Sequence, residues 1–298
     1  MNNDKNIFVK PGSKVNLNDY DTAYSAGFSD KESAIEKLKN DIEKLTKLQY
    51  KLYASNAYSV LIIFQAMDAA GKDGTIKHVM SGIDPQGCEV TSFKAPTYEE
   101  LEHDFLWRCY KRLPEKGKIG IFNRSHYEEV LVTRVHPEFI LNQKLPGIKT
   151  IKDITDDFWQ SRFKQINKFE KHLSENGTVI IKFFLHISKK EQRERFLKRI
   201  DDPEKNWKFS IADIHERAHW KEYQNAYEEA IQNTSTDYAP WYIIPADHKW
   251  FMRMATGNII ANVLSELDIK MPELNEKEKE DLKKAKIMLE EEDNEKKK

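Results

Sequence analysis

Val60-Leu61-Ile62-Ile63-Phe64-Gln65-Ala66-Met67-Asp68-Ala69-Ala70-Gly71-Lys72-Asp73-Gly74-Thr75 decides the fold. Its first five residues are apolar, and four of them are β-branched or aromatic. Such a run reads as a strand buried on both faces. A turn of small residues follows, and Thr75-Ile76-Lys77-His78-Val79-Met80 can open a helix. A strand leading through a tight turn into a helix is the setting that makes a phosphate loop credible. Backbone N–H groups at such a helix start point at an anion, and the helix dipole favours negative charge there. Lys72 adds a mobile ammonium. Ala66 stands where the first glycine of the usual pattern belongs, and Asp73 replaces the Ser/Thr that normally holds Mg²⁺. Asp68 inside the loop would repel phosphate unless a metal lay between them, so it reads either as a Mg²⁺ ligand or as a surface turn residue. The stretch as a whole also admits an ordinary strand–turn–helix junction.

Outward from the loop, the chain repeats the strand–helix alternation. Ahead of it, Ser29-Asp30-Lys31-Glu32 has the capping-box pattern. Ile35, Leu38, Ile42, Leu45, Leu48 and Leu52 then recur at steps of three and four, which predicts an amphipathic helix. Behind the loop, strands are predicted at Cys88–Phe93, Ile119–Phe122, Thr178–Ile187 and Trp241–Pro245. Helices are predicted from Thr97 to about Leu113, Asp156 to about Asn176, Ser210 to about Asn233, and over 250–267. Residues 136–155 carry Pro137, Pro146 and Gly147 and read as a long loop. Five strands alternating with helices imply an α/β fold with a parallel sheet covered on both faces. Ligands of such sheets bind at the carboxyl ends of the strands, where the loop and Asn123-Arg124 both fall. Residues 1–28 read as an N-terminal surface arm, 29–272 as the main domain, and 273–298 as a charged helix or tail.

Composition narrows the function classes. The chain has 298 residues, of which 33% are charged and 39% hydrophobic, with a formal net charge of −1. No global basic field draws it to nucleic acid or membrane, so a polyanion must be held by a local patch. Two cysteines, Cys88 and Cys109, lack metal-ligand spacing and argue against a disulfide framework. No apolar run approaches a membrane span, and the first residues lack a signal-peptide core. The expected location is cytoplasmic.

Phosphoryl transfer needs charge neutralisation and positioning more than covalent chemistry. Cations stand at several strand ends: Lys72, Lys94, Arg124, and the basic run from Lys189 to Arg199. Arg124 suits a bidentate grip on phosphate, or a structural salt bridge. The basic run fits a lid following the fourth strand, or a solvated helix face. Trp207, Phe209 and Trp250 suit either base stacking or core packing. The scattered histidines, His126, His136, His186, His215, His219 and His248, read as structural or surface residues.

These residues resemble the family-2 polyphosphate kinases. Gln65 to Gly74 resembles the family's loop, Gly120-Ile121-Phe122-Asn123-Arg124-Ser125-His126-Tyr127-Glu128 its second motif, Asp202-Pro203-Glu204-Lys205-Asn206-Trp207-Lys208 its lid, and Ile244-Pro245-Ala246-Asp247-His248-Lys249-Trp250 its last strand and exit. Phe93-Lys94-Ala95-Pro96-Thr97 also fits. The blocks span roughly residues 30–270. The resemblance implies a three-layer α/β/α phosphate-loop kinase fold with a five-stranded parallel sheet and a helical lid at about 189–215. It implies phosphoryl transfer between inorganic polyphosphate and adenine nucleotides, or guanine ones. Mg²⁺, or Mn²⁺ in its place, would sit near Asp68. Asn123 and Glu128, in place of an Asp and an Asn, resemble the class III type, which phosphorylates both AMP and ADP.

By that resemblance Asp68, Lys72, Arg124 and Glu128 are the expected catalytic residues. Ala69, Ala70, Gly71, Lys72, Asp73, Gly74, Thr75, Arg199 and Lys208 would bind polyphosphate. Lys94, Asn123, Arg124, Tyr127 and Glu128 would bind the nucleotide. A homo-oligomer is implied, with no nucleic-acid or membrane partner. Two other functions stay open. One is an ATP-dependent small-molecule kinase of similar fold, for which Thr75 would have to replace the missing Mg²⁺-binding hydroxyl. The other is a non-catalytic polyanion or nucleotide sensor, which would bind without turnover.

Overall fold

The computed structural model describes residues 1–295 except Asn3 and Ser29, and excludes the side chains of Lys208 and of residues beyond Glu292. The stretch Ser59–Ala66 forms β2, buried along its whole length at the centre of the sheet. It pairs in parallel with β4 (Ile119–Asn123) on one side and β5 (Thr178–His186) on the other, so that Ile62 lies between Ile121 and Ile181. β3 (Cys88–Ser92) pairs with β4, and β6 (Trp241–Pro245) with β5, both in parallel. The five expected strands are joined by a sixth. β1 (Phe8–Val9) runs antiparallel along β6, giving the order β1-β6-β5-β2-β4-β3. Residues 1–28, read as a surface arm, therefore reach the sheet, and Ile7 and Val9 are fully buried. Two residues in a polar segment give too short an alternation to register as a strand.

Three helices cover one face: α1 (Lys31–Ser55), α2 (Lys72–Val79) and α11 (Lys249–Glu266). Asp30 caps α1 by accepting from the Ser33 N–H at 2.7 Å; the cap expected at Ser29 lies outside the described residues. Leu45 and Leu52 are fully buried, whereas Ile35, placed on the same stripe from its spacing, is 51% exposed. α11 packs against β5, β6, α1 and α2. A Cβ on Gly257 would come within 2.8 Å of Leu38 Cδ1, so the glycine is what lets α11 lie close to α1.

The other face carries α7 (Asp156–Glu175), α10 (Trp220–Thr234) and the short α5 (Val132–Val135). The helix expected from Thr97 to Leu113 is two short ones, α3 (Tyr98–Leu101) and α4 (Trp107–Tyr110). Asp104 separates them by accepting from the Leu106 N–H and, through its carbonyl, from that of Trp107. The long loop at 136–155 contains α6 (Glu138–Leu141) and a 3₁₀ turn at Ile151–Asp153. The helix expected over 210–233 breaks at His219 into α9 (Ile211–Ala218) and α10. α8 (Lys189–Ile200), a turn at Asn206–Lys208 and α9 form the helical segment over the sheet's carboxyl edge. α12 (Glu276–Glu295) is solvent-exposed along its described side chains. Among the described residues, no helix is long and apolar enough to cross a membrane.

Candidate active site

The loop between β2 and α2 takes its shape from two left-handed residues, Ala69 at φ 59° and Gly71 at φ 106°. A left-handed alanine is strained by roughly 1 kcal/mol or more. Gly71 precedes α2 without a side-chain cap, so the first N–H groups of the helix face the cleft in need of an acceptor. The side chain of Thr75 is fully buried, and its hydroxyl donates to Gly71 O at 3.0 Å. The structure therefore does not bring Thr75 to the phosphate side, where it was expected.

Asp68 through Gly74 line an open cleft of about 710 Å³. Lys72 is half-buried and donates to Ala66 O at 3.1 Å. Burial, and then the Arg124 charge, pull its ammonium below the usual lysine range, against the attraction of Asp68, Glu128 and Asp73. Arg199 reaches the same cleft from α8 and pairs with Asp213 of α9 at 3.5 Å. The side chain of Lys208 lies outside those described. Asn123, expected on the nucleotide side, lines this first cleft and donates to Asp73 Oδ1 at 2.8 Å.

A second cavity of about 310 Å³ opens beyond β4. Phe93, Phe105 and Phe139 supply aromatic walls, and Lys94, Glu128 and Gln143 supply polar groups. Phe93 and Arg124 belong to both cavities. Arg124 has a left-handed backbone, φ 64°, fixed in part by its N–H to Phe64 O at 3.0 Å. Strain of this kind persists where the surroundings over-determine it, often at working sites. Its guanidinium donates to Asp68 Oδ1 at 3.1 Å and Glu128 Oε2 at 3.4 Å. Glu128 above all raises the Arg124 pKa, so the charge is permanent.

Tyr127 does not join them. It is fully buried, with its hydroxyl donating to Glu170 Oε1 at 2.8 Å and accepting from Lys182 Nζ at 2.8 Å. The 3₁₀ turn His126–Val130 sends Glu128 to the cavity wall and Tyr127 into the core, a division that residue spacing alone did not show.

The model of the family described as Polyphosphate kinase 2 (PPK2) matches residues 28–275. The chain belongs to the polyphosphate kinase 2 family. It is 51% identical over 269 residues to the ADP-polyphosphate phosphotransferase of Rhodopseudomonas palustris, covering 90% of this chain and 92% of the relative. It is 44% identical over 270 residues to the AMP/ADP-polyphosphate phosphotransferase of Meiothermus ruber, covering 90% and 96%. The crystal structure of Polyphosphate Kinase 2 from Arthrobacter aurescens TC1 superimposes with a TM-score of 0.81 at 38% identity, covering 90% of this chain and 94% of that one.

Arg253 and Asp213 of the first cleft lie outside the motifs quoted from the sequence, and Lys205 and Lys249 stand there only as motif members. Lys249 and Arg253, one turn apart at the start of α11, face the cleft together with Lys205, Trp207 and Asp213 from the helical segment over the sheet's carboxyl edge. Burial and then the Arg195 charge hold both Lys249 and Arg253 below their usual ranges. The buried Nε of Arg253 has no hydrogen-bond partner among the described residues. Two partly buried cations lining one cleft, one of them with an unpartnered donor, suit an anion. The available signal was two cations spaced i, i+4 immediately after the last strand. Arg195, counted within the basic run, points away from the cleft.

Proposed function

We propose that the chain moves the terminal phosphoryl group of inorganic polyphosphate onto both AMP and ADP, with polyphosphate in the first cleft and the nucleotide in the second. The carrying observation is Arg124, whose guanidinium belongs to both cavities and stands between two carboxylates. An in-line transfer needs a donor chain and an acceptor oxygen to meet at one point. Arg124 occupies the junction where they would meet. The N–H groups at the start of α2, with Lys72, Lys249 and Arg253, would hold the donor. The aromatic walls of the second cavity suit a base. As a phosphoryl group moves, Lys72 and Arg124 would balance the charge on its oxygens.

Asp68 is the candidate metal ligand. Among the described residues, no group of three or more His, Cys, Asp or Glu could hold an ion by itself, and Asp73 is engaged by Asn123. One carboxylate completed by phosphate oxygens and water suits Mg²⁺. When bound, the ion would neutralise phosphate charge and template the two substrates. The loop also favours this reading over an ATP-dependent kinase of ordinary type. Asp73 replaces the metal-binding hydroxyl, and Thr75 is turned back onto Gly71.

Using both acceptors requires AMP and ADP to present an oxygen at the same point from different depths. Glu128 would anchor the shorter one, through Arg124 or water. The test is kcat/KM for AMP and for ADP with saturating polyphosphate, in the wild type and in Glu128→Asn. A loss for AMP about tenfold larger than for ADP is expected, the size of one good polar contact. Equal losses would leave Glu128 as a structural partner of Arg124, and a wild type inactive with AMP would reduce the activity to ADP alone.

A further inference from the structure

A loop whose N–H groups converge on an anion turns carbonyl oxygens the other way, and those oxygens need donors. In this loop three consecutive carbonyls receive them from α8. Asp68 O accepts from Gln192 Nε2 at 2.9 Å, and Ala69 O and Ala70 O accept from Arg195 Nη1 at 3.2 and 2.7 Å. Gln192 and Arg195 lie three apart on one helix face and are 1% and 6% exposed. The Gln192 amide is oriented by its other end, since Oε1 accepts from Arg217 Nη1 of α9 at 2.6 Å.

Arg195 has further partners. Nη2 donates to Ala246 O at 2.6 Å and Asp247 O at 3.1 Å, at the exit of β6, and Nε donates to Glu191 Oε1 at 2.7 Å. A guanidinium has five N–H donors, and here all five are spent on the protein. The carbonyls it grips flank the strained part of the loop, between left-handed Ala69 and left-handed Gly71. Arg195 thus differs from Arg199, one turn further along α8, which lines the cleft.

We infer that Gln192 and Arg195 are positioning residues, gripping the back of the phosphate loop so that its N–H groups are aimed at the donor phosphates. The inference rests on the polyphosphate reading and adds to it a residue pair that touches no substrate. Lysine has one donor head and cannot span four carbonyls, so its charge would not replace the grip.

The experiment compares Arg195→Gln, Arg195→Lys and Gln192→Met with Arg253→Gln, whose side chain faces the cleft. Each is checked for folded fraction by near-ultraviolet circular dichroism. Polyphosphate affinity is then measured across a salt series, and kcat with ADP is determined per folded molecule. A group that contacts phosphate contributes about one unit to the slope of log Kd against log salt. Arg253→Gln should lose that unit, whereas Arg195→Gln should keep the wild-type slope. Its kcat should fall about 10- to 100-fold, the scale of a small misplacement of reacting groups, and Arg195→Lys should not restore it. Should the Arg195 variants fail to fold, Gln192→Met carries the test, with a fall in kcat per folded molecule and an unchanged slope. A flattened slope in Arg195→Gln, rescue by Arg195→Lys, or wild-type kcat per folded molecule in Gln192→Met would overturn the inference. A wild type that leaves polyphosphate intact would sink the functional reading first, and this one with it.

Discussion

Two charged clusters meet in the stretch Arg124–Glu128, and they are built from the same residue types to opposite ends. In the core, Lys182 spends all three donors: on Glu170 Oε2 at 2.5 Å, on the Tyr127 hydroxyl at 2.8 Å and on Thr234 O at 2.8 Å. Both charged side chains have zero exposure. Burial pushes the Glu170 carboxyl upward, yet Lys182 and His126 more than offset it and hold it below the usual carboxylate range. In the cleft, Arg124 meets Asp68 and Glu128 at 3.1 and 3.4 Å, with side chains 41%, 30% and 25% exposed. Saturated, short and dry pairing is a structural bond whose loss leaves an uncompensated charge. Looser pairing at the edge of a cavity leaves donors that a phosphate can claim.

The largest effect should come from breaking the saturated cluster. Lys182→Met strands Glu170 in the core and should cost about 3–5 kcal/mol of unfolding free energy. Removing both charges in Lys182→Met/Glu170→Leu should recover most of it. A denaturant titration showing a loss under about 1 kcal/mol for the single variant would mean that the pair is not saturated as described. Lys72→Ala probes the cleft in the reverse sense. Its rate should fall about 10²–10³-fold, while its unfolding midpoint stays at the wild-type value. A matching loss of stability would place Lys72 with the structural group.

His186 sharpens the contrast as a buried group that avoids charge. Its Nε2 faces Leu17 O at 3.2 Å, tying the N-terminal segment to the end of β5. Burial lowers its pKa from 6.5 to about 4. The folded state therefore binds this proton more weakly than the unfolded one. The stabilisation is fully present above about pH 6.5 and is lost as pH falls from there through about 4, up to about 3 kcal/mol in all. His186→Phe should flatten unfolding free energy against pH in that window, and an unaltered profile would assign the acid sensitivity elsewhere. The smallest effect is the single unit of salt slope expected from Arg253→Gln.

Much of this arrangement was legible from residues alone, for identifiable reasons. β2 is a continuous apolar run, so its burial on both faces and the loop behind it follow from pattern. β4 and β6 share that property, and β5 does apart from Lys182, whereas β3 is a polar, largely exposed edge strand. β1 escaped because two residues carry no usable period, and its anchoring by Ile7 and Val9 is a tertiary fact. The resemblance puts Tyr127 with the nucleotide as part of one motif with Arg124 and Glu128, but a 3₁₀ turn sends neighbouring side chains in different directions. The resemblance puts Thr75 with the phosphate loop, while its hydroxyl finds the carbonyl four residues back, a common local alternative. Within the basic run, charge and spacing cannot distinguish Arg199, facing the cleft, from Arg195, whose donors all end on carbonyls and Glu191. That distinction requires three dimensions.

The most direct measurement of the central claim is ATP formation from ADP with polyphosphate as the only phosphoryl donor, normalised to folded protein, in the wild type, Lys72→Ala and Lys182→Met. The wild type should form ATP. Lys72→Ala should fold and form almost none, and Lys182→Met should form it in proportion to its folded fraction. An active Lys72→Ala, or a well-folded Lys182→Met that forms none, would contradict the division between a working cluster and a structural one.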